Sequence, residues 1–192
     1  MYAAFAGYRS RRSSDPARTD SAVLVPVCLD PSGDFLLYAL RSERHGAHRG
    51  QVCFPGGKRS PEDADLVATA LREAHEEIGL DPGAVEVLGV LDDVITPTGF
   101  TITPVVGQVS MPYAFFPNPD ELSRLIRVPV VDLLDPALIP LVSDPSASPW
   151  TRDAFEADGV RVWGATARIT RQFVDRLREG MPPRSQDGPA VR

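Results

Sequence analysis

Three glutamates, Glu73, Glu76 and Glu77, fall within five consecutive positions of a chain of 192 residues. On a helix turning ~100° per residue, Glu73 and Glu77 lie ~40° apart, and Glu76 sits ~60° to the other side of Glu73. Three carboxylates then share one narrow face about one turn tall. Like charges four residues apart weaken a helix by a few tenths of a kcal/mol, and anions near a helix C-terminus oppose its dipole. Arg72, one turn below Glu76, is the only local offset. A cluster set against two local preferences points to a missing cation. Hard divalent ions such as Mg²⁺ seek carboxylate oxygens and keep water for chemistry. A solvated acidic face is the alternative.

The surrounding pattern supplies the elements that hold these groups. In Leu66–Leu80, Leu66, Ala70, Ala74 and Ile78 recur every four residues and are joined by Val67 and Leu71. This is one apolar stripe facing a core. It predicts a helix over 65–78, with Gly79 as its C-cap. The loop FPGGKRSPEDAD comes directly before it. There Gly56 and Gly57 permit a tight turn and close backbone approach to a ligand. Strands are expected at Ala22–Leu29, Phe35–Leu40, Gln51–Phe54, Val85–Asp92, Thr101–Val109 and Val160–Trp163. Ser42–Gly50 reads as a polar loop. Pro119–Leu134 is expected to start as a helix or helical turn, and Ala165–Glu179 to form a closing helix. The irregular alternation favours a mixed α/β sandwich over a doubly wound sheet. Residues 1–20 read as a mobile or loosely packed arm, 21–180 as one domain and 181–192 as a flexible tail.

Strand, glycine loop and a helix ending in REAHEEIGL together resemble the Nudix box. The second half of the box pattern is complete in Arg72–Leu80. The first half carries one extra residue, so Asp63 (or Glu62) stands in for the first acidic position. The resemblance implies an α/β Nudix fold, a mixed sheet between helices with the box as loop–helix–loop on one side. It also implies hydrolysis of a nucleoside diphosphate linked to another moiety, with Mg²⁺ or Mn²⁺ as cofactor. Carried over by position, Glu73, Glu76 and Glu77 ligate metal, the Gly57 carbonyl is a further ligand, and Arg72 orients the glutamates.

The stretch LYALRSERHGAHRGQVCFPGGK is similar to the signature of the coenzyme A diphosphatase-like subgroup, with Arg41, Ser42, Gly50, Val52 and Phe54–Gly57 matching. Gly46 occupies the subgroup's second arginine position, which Arg44 or Arg49 would have to fill. Asn118–Glu121, Val128-Pro129 and Val162–Ile169 resemble the same subgroup, so the likeness covers about Ser21–Arg178. It implies cleavage of coenzyme A or a derivative to 3′,5′-ADP and 4′-phosphopantetheine. ADP-ribose, NADH, other dinucleotides and nucleotide caps are the alternative substrates. A non-catalytic nucleotide-binding module is the alternative of another class, disfavoured by the intact glutamates.

A phosphorylated nucleotide calls for cations. Arg41, Arg44, His48, Arg49, Lys58 and Arg59 crowd the loops around the glycines. Of these, Arg41, Arg49, Lys58 and Arg59 are taken as substrate-binding, together with Phe54 and Gly56. His45, His48 and His75 are too scattered to form a metal set. Phe100, Phe115, Phe116 and Trp163 are candidates for a pantetheine groove, with core packing as the alternative. Glu121 is the candidate general base beside Glu76 and Glu77. Asp92, Asp93 and Thr96 are candidates to shape the pocket, or simply to build a turn.

Composition excludes several other classes. A net charge of −6 and a single lysine, Lys58, argue against a nucleic-acid partner. No apolar run approaches the ~20 residues of a membrane span. The opening MYAAFAGYRSRR carries its charges after its apolar residues, the reverse of a secretory signal. Cys28 and Cys53 stand alone, which speaks against a disulfide framework or structural zinc and for a reduced, cytoplasmic setting. The expected partner is a small nucleotide substrate, and the sequence leaves room for a homodimer.

Overall fold

The structure is a computed structural model and describes residues 2–43, 49–135, 142–143 and 153–181. Arg44, His45, Gly46, His48 and the expected tail beyond 181 lie outside the described residues.

One mixed sheet dominates. Strand β1 (Thr19–Leu29) runs parallel to β7 (Phe100–Ser110) along its whole length, from Thr19 opposite Phe100 to Leu29 opposite Ser110. The other edge of β1 is shared. Its C-terminal half pairs with β2 (Phe35–Arg41), at Val27↔Leu36 and Cys28↔Phe35. Its N-terminal half pairs with β4 (Gly56–Lys58), at Ser21↔Lys58, Ala22↔Gly57 and Val23↔Gly56. β2 diverges there to meet β3 (Val52–Cys53) and, on its other edge, β8 (Leu122–Pro129). The sheet therefore splits where the glycine pair sits. β5 (Val85–Val90) and β6 (Val94–Ile95) complete it on β7. A second, three-stranded sheet joins β9 (Val142–Ser143), β10 (Asp153–Ala157) and β11 (Val160–Trp163).

Period-two alternation gives the main sheet two apolar faces. Ala22, Leu24, Cys28, Phe35, Leu37 and Ala39 face helix α1 (Leu66–Ile78), while Val25, Val27, Leu36 and Tyr38 face α3 (Gly164–Gly180). The stripe expected on α1 is the one it buries: Ala70, Ala74 and Ile78 are fully enclosed. Asp65 caps its start by accepting from the Ala68 N–H at 2.8 Å. Gly79 ends it at φ 67°, and the Leu80 N–H returns to the Ala74 carbonyl. The mixed α/β sandwich is thus as expected. A five-residue helix, α2 (Val130–Leu134), follows β8.

Two expectations fail. Residues 122–129 are a strand instead of a continuation from a helical turn. The apolar positions Leu122, Leu125, Ile126 and Val128 fit either period, and pairing with β2 decides. The N-terminal segment is not a loose arm either. Phe5 is buried and stacks on Phe173 at 5.2 Å, and the Tyr2 hydroxyl donates to Asp34. The Asp92 carboxylate accepts from the Tyr8 hydroxyl, the Arg11 N–H and the Arg11 guanidinium, and Asp93 accepts from the Ser13 N–H.

Candidate active site

The chemistry gathers where α1 crosses the glycine turn. Because β4 pairs with β1, Gly56 and Gly57 are pressed between β1 and the last turns of α1. A Cβ on Gly56 would stand 2.6 Å from the Val23 Cα. A Cβ on Gly57 would stand 2.5 Å from the Glu73 carboxyl carbon. The second glycine therefore makes room for a side chain, and the first for backbone.

The three glutamates share a sector of α1 but not an environment. Glu77 is buried, and its two oxygens accept from the Gly56 N–H at 3.1 Å and from Arg41 at 3.4 Å. Burial pushes its carboxyl up to about 7 against the pull of Arg41. Glu73 is half-buried against Gly57, and desolvation raises it too. Glu76 is 55% exposed along its side chain and leans onto Arg72. Among the described residues, no three acidic, histidine or cysteine side chains converge as a ready ligand set. The donors are nonetheless all hard carboxylate oxygens, two of them already against the glycine turn, and this chemistry fits a hard divalent ion.

Arg72 organises the cluster. Its Nε and Nη2 donate to the two oxygens of Asp63 at 2.9 and 3.0 Å. Nη2 also donates to the Lys58 carbonyl at 3.1 Å, and Nη1 pairs with Glu73 at 2.9 Å and Glu76 at 3.1 Å. One planar fork thus ties the loop to two glutamates. Of the two loop acids, Asp63 is the one that Arg72 holds. It is buried and also accepts from the Ser60 N–H and the Thr69 hydroxyl, whereas Glu62 is exposed and bonds only its neighbour Ser60 among the contacts seen. The Arg72 hydrogen bond holds the Asp63 carboxyl well below the usual carboxylate range. A depressed pKa adds stability above the unfolded value and loses it as pH falls below about 4. Asp63→Asn is expected to cost about 1–3 kcal/mol of unfolding free energy at pH 7 and to flatten the acid limb. Urea melts at pH 3.5 and 7 check both.

A cavity of about 480 Å³ opens beside the turn, lined by Arg41, Phe54, Gly56, Gly57, Lys58, Phe100 and Trp163 among others. Lys58 stands at its rim with the ammonium 5.5 Å from the centre of the Phe100 ring. The expected substrate residues therefore divide. Arg41, Lys58, Phe54 and Gly56 come together here. Arg49 is exposed and outside the lining, and Arg59 turns back to the Asp63 and Ala64 carbonyls. Phe115 packs against Tyr113 with tilted rings 5.0 Å apart at the far end of α1, and Phe116 is 71% exposed there; neither lines the cavity. Asp92 and Asp93 serve the N-terminal segment, while Thr96 does line the cavity. His75 is on the surface.

Glu121 lies in the turn that enters β8, not at a helix start. Its carbonyl accepts from the Ser42 N–H, and its carboxylate accepts from Asn118. The Ser42 contact and the pairing of Arg41 with Leu122 put it beside Arg41, and its charge bears on Arg41, Glu73 and Glu77. Sequence reasoning did not place Cys53, Ile102, Thr98 or Thr166 at the site, yet they also line the cavity. They come from four separate segments, and no local pattern joins them. Burial pushes the Cys53 thiol up to about 11 and Cys28 to about 12. At pH 7.5 the enclosed Cys28 should resist iodoacetamide in the folded protein and react only on unfolding, by mass spectrometry, while the half-buried Cys53 is labelled slowly; rapid native labelling of Cys28 would contradict the burial argument.

A mixed sheet between helices, with a glycine loop and a glutamate-bearing helix on one face, defines a Nudix-type domain. Residues 18–136 match the NUDIX domain, and the chain belongs to the Nudix family. The Nudix hydrolase NudL of Klebsiella pneumoniae, itself uncharacterized, is 45% identical over 114 residues, covering 59% of this chain and 59% of the relative. That match spans less than two thirds of the relative's length. NudL of Yersinia pestis is 32% identical over 169 residues, covering 82% of this chain and 79% of the relative. Among solved structures, the Nudix hydrolase RenU of M. smegmatis superposes with a TM-score of 0.58 at 18% identity, covering 86% of this chain and 88% of that one; this likeness concerns the fold. Nudix hydrolases as a family act on small nucleotide derivatives and use divalent metal ions. Among the described residues, no helix is long and apolar enough to cross a membrane.

Proposed function

We propose that this protein is a divalent-metal-dependent pyrophosphate hydrolase whose substrate is coenzyme A or a derivative. The observation that carries the reading is the packing of the Glu73 and Glu77 carboxylates against the Gly56–Gly57 turn, beside a cavity edged by Arg41 and Lys58. Glu73, Glu76 and Glu77, with the Gly57 carbonyl, would hold Mg²⁺ or Mn²⁺. Such an ion neutralises pyrophosphate oxygens and lowers the pKa of water.

The chain's own groups do the rest. Arg72 keeps Glu73 and Glu76 on the side of the helix that faces the loop. The Gly56 N–H and Arg41 hold Glu77. Lys58 presents a mobile positive charge at the rim, suited to a diphosphate or the additional phosphate of coenzyme A. Glu121, exposed and with its charge bearing on Glu73 and Glu77, would accept a proton from the attacking water. Water adds across one P–O–P bond, which releases 3′,5′-ADP and 4′-phosphopantetheine.

The similarity of Arg41–Gly57 and Val162–Ile169 to the coenzyme A subgroup supports this substrate. A panel of coenzyme A, ADP-ribose, NADH and a capped dinucleotide, each with Mg²⁺ and with Mn²⁺, tests it. The reading expects coenzyme A to be cleaved with the highest kcat/KM and to yield that product pair. Faster cleavage of another member would move the substrate. Tight binding without cleavage of any would make the chain a binding module.

A further inference from the structure

The cavity beside the glycine turn has an unusual division of labour between its apolar and polar walls. Its volume, about 480 Å³, is that of a small-ligand pocket. Val23, Phe54, Phe100, Ile102, Trp163 and Ile169 supply apolar wall. The hydroxyl protons of its deeper wall are used within the protein. The Ser21 hydroxyl donates to the Thr101 carbonyl at 3.0 Å, and the Thr166 hydroxyl to the Val52 carbonyl at 2.9 Å. The Thr96 hydroxyl lies 3.0 Å from that of Thr98 and accepts from the Phe100 N–H at 3.0 Å. The Arg41 guanidinium is turned to Glu77.

A pocket that reads a nucleobase or a sugar by its polar edge must hold donors and acceptors in reserve. Here a ring nitrogen or sugar oxygen brought against the apolar wall would give up water and find the Ser21 and Thr166 hydroxyl protons already used, at about 1–3 kcal/mol for each group left unpaired. An alkyl-rich group carries no such penalty and gains from the apolar wall. The two halves of a coenzyme A-type substrate differ in this respect right beside the diphosphate. The nucleoside half begins with a hydroxylated ribose. The other half begins with a methylene and a carbon bearing two methyl groups, and carries a single hydroxyl on the next carbon. Because Gly56 and Gly57 line both the cavity and the carboxylate cluster, the first atoms to enter are those next to the diphosphate.

We propose that this cavity is the subsite for the branched aliphatic arm of the substrate, with its dimethyl carbon against the apolar wall, and that the adenosine half lies outside it. This deepens the hydrolase reading given above and rests on it. The arm's amides reach the mouth, where Thr98 is exposed and water is available.

Trp163 in the cavity wall is a built-in reporter. In a Trp150→Phe background it is the only tryptophan, since the chain has two. Pantetheine and adenosine, each titrated separately to about 10 mM as weak fragments, provide the test without metal or turnover. Pantetheine is expected to change Trp163 emission saturably, adenosine to leave it unchanged and not to displace pantetheine. Ala165 lines the same cavity and is half-buried. Ala165→Met should fill it and weaken pantetheine at least about tenfold while leaving 3′,5′-ADP affinity, measured by calorimetry, within about twofold. A saturable adenosine signal that competes with pantetheine would overturn the proposal, as would silence from pantetheine. The two readings fail separately: pantetheine binding without coenzyme A cleavage removes the hydrolase assignment, and cleavage without a Trp163 response removes this subsite.

Discussion

Glu76→Gln is expected to lower kcat by about a thousandfold or more, equivalent to about 4 kcal/mol of barrier, while the melting temperature shifts by no more than a few degrees. The separation follows from where the side chain sits. Glu76 is more than half exposed, and its one seen partner is Arg72, which also holds Asp63 and Glu73. Removing its charge leaves no buried group unpaired, so the fold has little to lose. On the proposed reading its charge is needed only when an ion is shared with Glu73 and Glu77. Glutamine keeps the shape and removes one negative ligand. The same change at Glu77 would be less informative. Glu77 is buried and accepts from the Gly56 N–H, so substitution would disturb both fold and site. Steady-state kinetics with thermal melts reads the Glu76 result. Wild-type turnover by the variant would remove that carboxylate from the chemistry.

The neighbouring glycines should fail in opposite ways when each is changed to alanine. At Gly56 the new methyl meets the backbone of Ala22 and Val23 within β1, and backbone in the centre of a sheet cannot step aside. A loss of about 3 kcal/mol or more is expected, enough to leave much of the protein insoluble. At Gly57 the methyl meets the carboxylate of Glu73, the far end of a flexible side chain. That group can swing away. Gly57→Ala is therefore expected to fold with near-normal stability and to lose activity by about a hundredfold or more, because a carboxylate displaced by an ångström no longer serves the site. Circular dichroism melts and kcat for the pair decide it. A folded, active Gly57→Ala protein would show that Glu73 does not need that space.

Much of this was legible in the sequence where the information is local. The four-residue recurrence of Leu66, Ala70, Ala74 and Ile78 defines α1 because a helix needs only its own period to declare a buried face. Asp65 and Gly79 mark its ends by cap chemistry for the same reason. The glycine loop announces a close approach, though not that Gly56 accommodates backbone and Gly57 a side chain. What escaped depends on distant partners. Leu122–Pro129 carries a pattern compatible with either period, and β2, more than 80 residues earlier, makes it a strand. The polar composition of Tyr8–Ser13 suggests a loose segment only until Asp92 and Asp93 are placed beside it. The helical wheel puts three glutamates on one sector, but it cannot show that β4 buries Glu77, half-covers Glu73 and leaves Glu76 to Arg72. The cations around the glycines sort for the same reason: Arg41 and Lys58 lie on strands that end at the cavity, and Arg59 is captured by the loop it belongs to.

The most direct test of the carboxylate cluster is the anomalous signal of manganese in crystals soaked with MnCl₂. The account predicts a peak between α1 and the glycine turn, within coordination distance of the carboxylates of Glu73, Glu76 and Glu77, with Glu76 swung from Arg72 toward the ion. A peak confined to other acidic groups, such as Asp175 and Glu179 on α3, or no peak at all with the three glutamates ordered as they are here, would contradict it.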